Sequence, residues 1–501
     1  MMVNKRRQAQ WPEELITNMG YSGRRAHIPQ LVDVPRTNLP DGWQRKNPAN
    51  LPEVSELELV RHIVRLSQMN HGVDVGEYPL GSCTMKYNPK VNERIARFDN
   101  YAAMHPDAPE MAMQGNLEII YRLQEALKII TGFDGVSVQP AAGAQGEYVG
   151  MLITKAFHEL NGEGHRNKVL VPDSAHGTNP ASAAMAGYKV VELPSDANGF
   201  VDLEILKAAL DENVAAFMIT NPNTLGIFEP QILEICELVH GFGALNYLDG
   251  ANFNGIVGMV RPSDMGFDIM HLNMHKTFSG PHGGGGPGCG PVGVVDKLVK
   301  FLPKPMIAHD EKRDYYYLDN DRPHSIGRVH GYFGNFGIIL RTLAYIYRNG
   351  GPGLRAVCQS AVLNANYLME KVSQIKGFSV PFAKDMPRKH EFIASPTKLL
   401  KDTGVTAGDI AKAMLDYGVH SPTIYFPLIV KEAMMIEPTE AETRDSLDKI
   451  YEVIKEIAEK AYENGDLVHQ MPLLTSKGRL DEFALAKDPV LSHKFTDKQS
   501  D

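Results

Sequence analysis

The sequence predicts an α/β protein, a mainly parallel sheet wrapped by helices, followed by a smaller C-terminal α+β unit. Two observations carry this expectation. From about residue 115 to 375 helical patterns alternate with short β-rich runs, most of which end in turn or polar residues. Beyond that, a long helical run gives way to HEFIASPTKLL, TAGDIAKAMLDYG and ETRDSLDKIYEVIKEIAEKAYENG, a shorter mixture of strand and helix.

Taken in order, residues 1–110 are rich in Pro, Asn and charge, with one amphipathic run, SELELVRHIVRLSQMN. Its Leu57, Leu59, Val60, Ile63, Val64 and Leu66 recur near helical spacing, as in an arm that packs on something else. The β-rich runs of residues 111–375 are KVLVPD, YKVVELP, AAFMITNP, ALNYLDGAN and FDIMHLNM. GPGLRAVCQSAVLNANYLMEKVSQI reads as a long helix leading to the small unit of residues 376–501. No repeat or low-complexity segment interrupts this order, apart from glycine clustering between Gly280 and Gly293.

A chain of 501 residues is long enough for two or three domains and a deep site. With 43% apolar and 22% charged residues it is globular, and a formal charge of -9 gives no electrostatic reason to expect nucleic acid. The four cysteines form no CxxC pair and no metal or disulfide pattern, which fits a reducing, cytoplasmic compartment. No stretch is long and apolar enough to read as a membrane span, and the N-terminus lacks the apolar core of a signal peptide.

Ligands of such sheets bind beyond the carboxyl ends of the strands, so the polar residues just after each run matter most. In MHLNMHKTFSGPHGGGGPGCGPVG an apolar strand leads into Lys276 and a glycine-rich loop, with hydroxyls at Thr277 and Ser279. A lysine at such a crevice, desolvated beside other cations, suits an amine nucleophile; a surface lysine before a loose loop is the plainer alternative. Asp249 follows another apolar run, 27 residues earlier, and can hold a pyridine nitrogen protonated or merely cap a turn. In QPAAGAQGEYVGM, Gly143, Ala144, Gln145 and Gly146 open a helical pattern suited to a phosphate. His176 in VPDSAHGTNPASAA can stack on a planar ring, and Asn223 and Thr224 in ITNPNTLGIFE can donate to a cofactor hydroxyl or simply shape an Asn-Pro turn. No P-loop, HExxH or GxSxG motif competes, and Cys83 in LGSCTMKYNP reads as a packing cysteine.

These five features occur in the order phosphate loop, histidine, Asn/Thr turn, aspartate, lysine, and that order resembles fold-type I pyridoxal-phosphate enzymes, the aspartate aminotransferase-like class. YPLGSCTMKYNPK, QPAAGAQGEYVG, DSAHGTNPASA, TNPNTLGIFE, LDGAN and above all NMHKTFSGPHGGGGPG resemble the glycine dehydrogenase (decarboxylating) family, in the subunit 2 form that carries the cofactor lysine. EPTEAETRDSLD extends the match toward the C-terminus. The chain departs from the family pattern at Ala141-Ala142, where Asn-Ser or similar is expected, and at Ser279-Gly280.

The resemblance implies a seven-stranded, mainly parallel sheet and pyridoxal 5'-phosphate as cofactor. It implies Lys276 as the Schiff-base lysine, Asp249 on the pyridinium nitrogen, His176 on the ring, and Ala144, Gln145 and Thr277 around the phosphate. It further implies glycine as substrate, release of CO2, and transfer of the aminomethyl group to the lipoyl arm of an H-protein, within an α2β2 heterotetramer with subunit 1. Arg328 in HSIGRVHGYFGN is the candidate donor to the glycine carboxylate, or else the partner of a structural acid. Two alternatives stay open: another fold-type I reaction, such as that of an aminotransferase, desulfurase or lyase, and a non-catalytic scaffold subunit.

Overall fold

The computed structural model describes residues 4–28, 30, 33–35, 37–47, 51–282 and 288–489. Within the glycine cluster of the sequence, Gly283 to Pro287 lie outside the described residues. A seven-stranded sheet dominates, built from β1 (Gly135–Ser137), β2 (Lys168–Pro172), β3 (Lys189–Leu193), β4 (Val214–Thr220), β5 (Leu245–Gly250), β6 (Ile269–Leu272) and β7 (Val292–Val294). Their spatial order is β1-β7-β6-β5-β4-β2-β3. The five strands from β6 to β3 pair in parallel, and β7 alone runs against its neighbours β1 and β6. All five β-rich runs of the sequence are strands of this sheet.

The apolar character of the central strands follows from their position. β4 (VAAFMIT) is buried at every residue, because helices cover both faces and no side chain can turn to water. On one face the helix Gln114–Thr131 presents Leu117, Ile120, Leu123 and Leu127 to the core, spaced at three and four residues. It stops at Gly132, whose φ of 81° suits a left-handed cap. On the other face the helix Gly143–Leu160 buries Val149, Met151 and Ile153. A hairpin of β8 (Met306–Asp310) and β9 (Tyr315–Asp319) packs against the helix Gln114–Thr131.

The long helical run is preceded by a further helix, so that helical structure spans Phe336–Ser373 with a break at Gly350, where φ is 59° and ψ -176°. Only the segment after this break was legible as one helix. Its first part contributes Ile338, Ile339 and Leu343 to the core of the large sheet, and its second part sends Ala365, Leu368 and Val372 into a separate core. That second core lies under a small antiparallel sheet of β10 (Phe392–Ala394), β11 (Thr423–Ile424) and β12 (Met434–Ile436), in the order β10-β12-β11. The helix Arg444–Gln470 closes it with Leu447, Ile450, Val453, Ile454 and Ile457.

In the N-terminal region the helix Glu56–Gln68 begins with a capping box formed by Ser55 and Glu58. Only His62 is buried on it, held by Glu13, whereas Leu57, Val60, Ile63 and Val64 each stay about half exposed. The segment from Leu80 to Asn88 then threads between the small sheet and the loop after β6. Among the described residues no helix is long and apolar enough to cross a membrane.

Candidate active site

The site gathers where β2, β4, β5 and β6 end side by side. Parallel pairing sets Thr220 on β4 beside Asp249 on β5, and Asp249 beside His271 on β6. Asp249 is wholly buried, and both of its oxygens accept hydrogen bonds. Oδ2 accepts from Asn179 Nδ2 at 2.8 Å and Thr220 Oγ1 at 3.1 Å, and Oδ1 accepts from the Ala251 N–H at 2.8 Å. His271 Nε2 stands 3.3 Å from Oδ1. Burial alone would raise the pKa of this carboxyl, but His271, His176, the Ala251 N–H and Lys276 together outweigh it and hold the group below the usual range. Asp249 is therefore an anion at neutral pH.

Around it runs a polar chain. Thr178 Oγ1 donates to Glu147 Oε1 at 2.8 Å and lies 2.8 Å from His176 Nδ1; Ser182 Oγ donates to the other Glu147 oxygen at 3.1 Å. Burial and the neighbouring charge of Asp249 push Glu147 up to about 8, while burial pushes His271 down to about 4. The two buried acids thus take different states, Asp249 ionised and Glu147 protonated. The His176 ring is half-buried and meets the edge of Phe426, with centroids 5.6 Å apart.

Lys276 lies in the turn that follows β6, its N–H bonded to the Asn273 carbonyl at 3.1 Å. Strand alternation therefore ends at Leu272, and it is the turn that separates His275 from Lys276. His275 packs against His282 at 4.6 Å between centroids, and burial drives it down to about 3, so it is neutral. Lys276 is 8% exposed, and among the described residues its Nζ makes no hydrogen bond. An interior amine without a hydrogen bond is costly to bury.

The helix Gly143–Leu160 points its N-terminus at this turn. A Cβ on Gly143 would sit 1.8 Å from Asn273 Oδ1, so glycine is what lets the helix press against the lysine turn. The N-cap Ala142 offers no side-chain acceptor. Among the described residues the first-turn N–H groups, those of Ala144 and Gln145 among them, carry no hydrogen bond. Gln145 uses its side chain to hold the backbone, accepting from Ala141 N at 2.6 Å and donating to the Val329 carbonyl at 2.6 Å. Thr277 is buried beside Lys276.

Other candidates from the sequence occupy different places. Asn223 spends its side chain in its own turn, donating to Gly199 O at 2.9 Å and accepting from Leu225 and Ile227 N–H groups. Thr224 Oγ1 donates to the Ser174 carbonyl at 2.7 Å. Thr224 thereby braces the loop that carries His176. Arg328 is exposed, with Nη1 on the Gly331 carbonyl at 3.1 Å and its guanidinium over Phe333.

Sequence reasoning missed the residues brought in from afar. Lys86 is buried, and its Nζ donates to Thr277 O at 2.7 Å, Glu440 at 2.7 Å and Asn254 Oδ1 at 3.1 Å. Burial opposes its charge, but Glu440 and Tyr345 more than compensate and keep it above the ordinary lysine value. Asn88 donates to the Ser279 carbonyl at 2.7 Å, completing the clamp on the lysine turn. Lys86→Met removes the cation beside the half-buried Glu440, leaving that carboxylate only Asn254 and Tyr345, and is expected to cost about 3 kcal/mol, read as a lower thermal midpoint; an unchanged midpoint would contradict the clamp. Glu391 and Glu437, beside β10 and β12, and His390 also reach this region, and Lys276 acts on all three electrostatically.

Comparison with known proteins gives one consistent picture. Residues 13–316 match the model of the glycine cleavage system P-protein, and residues 357–475 that of the glycine dehydrogenase C-terminal domain. A probable glycine dehydrogenase (decarboxylating) subunit 2 from Pyrococcus abyssi is 53% identical over 490 residues, covering 98% of this chain and 97% of the relative. Its counterpart from Staphylococcus aureus is 54% identical over 482 residues, covering 95% and 97%. Among solved structures, a glycine decarboxylase (P-protein) of the glycine cleavage system in inhibitor-bound form superposes with a TM-score of 0.71 at 22% identity, covering 83% of this chain and 93% of that one. A cysteine desulfurase from Escherichia coli gives 0.58 at 14% identity, covering 78% and 95%, a likeness of fold alone.

Proposed function

The chain belongs to the glycine cleavage system P-protein family, as a glycine dehydrogenase (decarboxylating) subunit 2, and from that premise we propose that Lys276, Asp249 and His176 carry its chemistry. The reaction is the decarboxylation of glycine, and the cofactor is pyridoxal phosphate. The residues present fit that group. A buried amine with no hydrogen bond among the described residues, a buried carboxylate held ionised and a helix N-terminus without a side-chain cap meet at one sheet edge. The single observation that carries the reading is that buried Asp249, on β5, and buried Lys276, in the turn after the neighbouring β6, stand at the same edge of the sheet.

When bound, pyridoxal phosphate supplies a carbonyl carbon for an amine and a protonated pyridine ring that draws electrons from the bond to a departing carboxylate. Everything else is the work of the chain. Lys276 offers its ε-nitrogen as the covalent anchor. Asp249, fixed by Asn179, Thr220 and the Ala251 N–H, would hold a proton on the pyridine nitrogen. His176, tethered through Thr178 to Glu147, would face the ring of the bound cofactor. Ala144 and Gln145, with Thr277, would bind the phosphate through helix N–H groups and a hydroxyl. Orientation and electrostatics are thus the protein's share of the catalysis.

The aminomethyl group left after CO2 departs passes, in this proposal, to the oxidised lipoyl arm of an H-protein, whose disulfide is reduced. The subunit 2 name implies a partner subunit 1, and we place it in an α2β2 assembly. The exposed stripe Leu57, Val60 and Val64 supports a role for the N-terminal helix in that contact. The three buried free cysteines suit a reducing cytoplasm. The domain limits proposed for the chain are 1–110, 111–375 and 376–501; in support, the apolar residues of the large sheet and of the small sheet form separate cores, with the long helical run contributing to both.

Exchange of labelled bicarbonate into glycine tests the reading. We expect exchange with subunit 1 and lipoylated H-protein present, and its loss without the carrier. Exchange of an amino group into a keto acid instead would place the chain among aminotransferases.

A further inference from the structure

A cleft of about 470 Å³ lies between the N-terminal arm and the small C-terminal unit, and the reaction described above gives it no role. Its walls come from parts of the sequence far apart. Residues 6–9 of the arm form one side, and the end of the helix Glu56–Gln68 with the residues just after it forms a second. The helix Ala407–Met414 and the stretch 475–480 supply the rest. The arm is stitched to these walls. The Gln8 N–H donates to the Leu474 carbonyl and the Arg6 N–H to the Asp416 carbonyl, each at 2.8 Å. Gln10 Nε2 donates to the Thr475 carbonyl at 2.7 Å, and the Ser476 N–H to Gln8 Oε1 at 2.8 Å. A terminal segment keeps one shape only when tied down in this way, so the cleft is a built feature of the fold.

The lining carries charge of one sign. Arg6, Arg7, Lys412, Lys477 and Arg479 all line the cleft, and among the described residues no Asp or Glu does. The chain as a whole has the opposite balance, with 60 acidic against 51 basic side chains, so the cleft stands apart from the rest of the molecule. Two of the five cations are answered from outside it: Arg479 by Asp409 at 2.7 Å and Lys412 by Glu482 at 2.6 Å. Asp416, behind the wall, turns its carboxylate to the N–H groups of Leu473 and Leu474. Arg6 donates to the Val75 carbonyl at 2.6 Å and Arg7 to Gln10 Oε1 at 3.5 Å, both neutral oxygens. Among the described residues Arg6, Arg7 and Lys477 therefore have no carboxylate partner. A concave surface lined by one sign of charge concentrates the opposite ion.

We propose that this cleft binds a small molecule carrying a diphosphate group, with Arg6, Arg7 and Lys477 as its chief contacts. The donors favour that chemistry. A guanidinium offers paired N–H groups to two phosphate oxygens, and a lysine adds a compact charge. Three cations without an anion call for more negative charge than a single carboxylate brings, and a diphosphate supplies it. The volume favours a small molecule, since about 470 Å³ is the size of a metabolite or cofactor pocket. Gln68 adds a neutral contact: its Oε1 accepts from Trp11 Nε1 at 3.1 Å, and its amide N–H groups remain for the ligand. The inference stands independently of the role proposed for Lys276, because no residue of that site lines the cleft.

Calorimetric titration of the full chain with inorganic pyrophosphate tests this, in excess pyridoxal phosphate so that the helix at Gly143 cannot take the titrant. One saturable site per chain is expected. Arg7→Glu and Lys477→Glu change exposed side chains that hold no backbone group, and each should weaken binding at least ~10-fold. Lys189→Glu makes the same change of charge on the edge strand β3 and should leave binding as it is. Trp11 emission should shift on saturation, because its partner Gln68 lines the cleft, and Trp11→Phe should lose the signal. No saturable binding, wild-type affinity in both R7E and K477E, or an equal loss in K189E would overturn the inference. Pyrophosphate binding abolished by subunit 1 would give the cleft to that chain and overturn it as well. If R7E and K477E do not fold by circular dichroism, Trp11 emission of the wild type decides, and no shift at saturating pyrophosphate overturns the inference.

Discussion

Lys276→Ala is expected to lower glycine decarboxylation by at least ~10⁴-fold, the scale seen when an enzyme's nucleophile is deleted. The loss comes from chemistry and not from folding. Lys276 makes no hydrogen bond through its side chain among the described residues, so its removal leaves no buried partner stranded. The variant should melt no lower than the wild type, and the visible absorbance of the covalently held cofactor should vanish. Those two readouts separate the role from a structural one. A drop in stability with residual activity would make Lys276 a packing lysine instead.

Asp249→Asn should cost roughly 10² to 10³-fold in kcat, comparable to removing one well-placed group that stabilises developing charge. Asparagine keeps the shape and one acceptor for Asn179 and Thr220, but it cannot hold a proton on a ring nitrogen. The change also reaches its neighbour. Glu147 stands high because of burial and then because of the Asp249 charge, so Glu147 should titrate lower in the variant. Steady-state rates and the pH dependence of the cofactor absorbance check both effects. Wild-type kcat in the asparagine variant would remove Asp249 from the chemistry.

Much of the fold was legible because its cause is local. A strand covered on both faces must be apolar throughout, and AAFMITNP and ALNYLDGAN show this directly in the chain. The polar residues that end such runs, Asp249 and those of the turn around Lys276, fall at the sheet edge for the same reason. Short strands such as β1 and β7, three residues each, leave no comparable signal, and the reversal of β7 cannot be read from the sequence GPVGVV.

The site was only half legible. Lys86 and Glu440 are 354 residues apart and Ser82 and Glu391 are 309 apart, so no spacing rule joins them. The composition of the chain argues against burying such charges, and only the three-dimensional partners make them affordable. Asn223 and Thr224 illustrate the opposite difficulty: polar residues at a strand end look like ligand donors, yet in the fold they bond to the neighbouring loops.

The most direct test of Lys276 as the covalent anchor is chemical trapping. The protein is loaded with pyridoxal phosphate, reduced with borohydride, digested and mapped by mass spectrometry. The account predicts a single stable pyridoxyl adduct, on the peptide containing Lys276. An adduct confined to another lysine, or none at all despite bound cofactor, would contradict it.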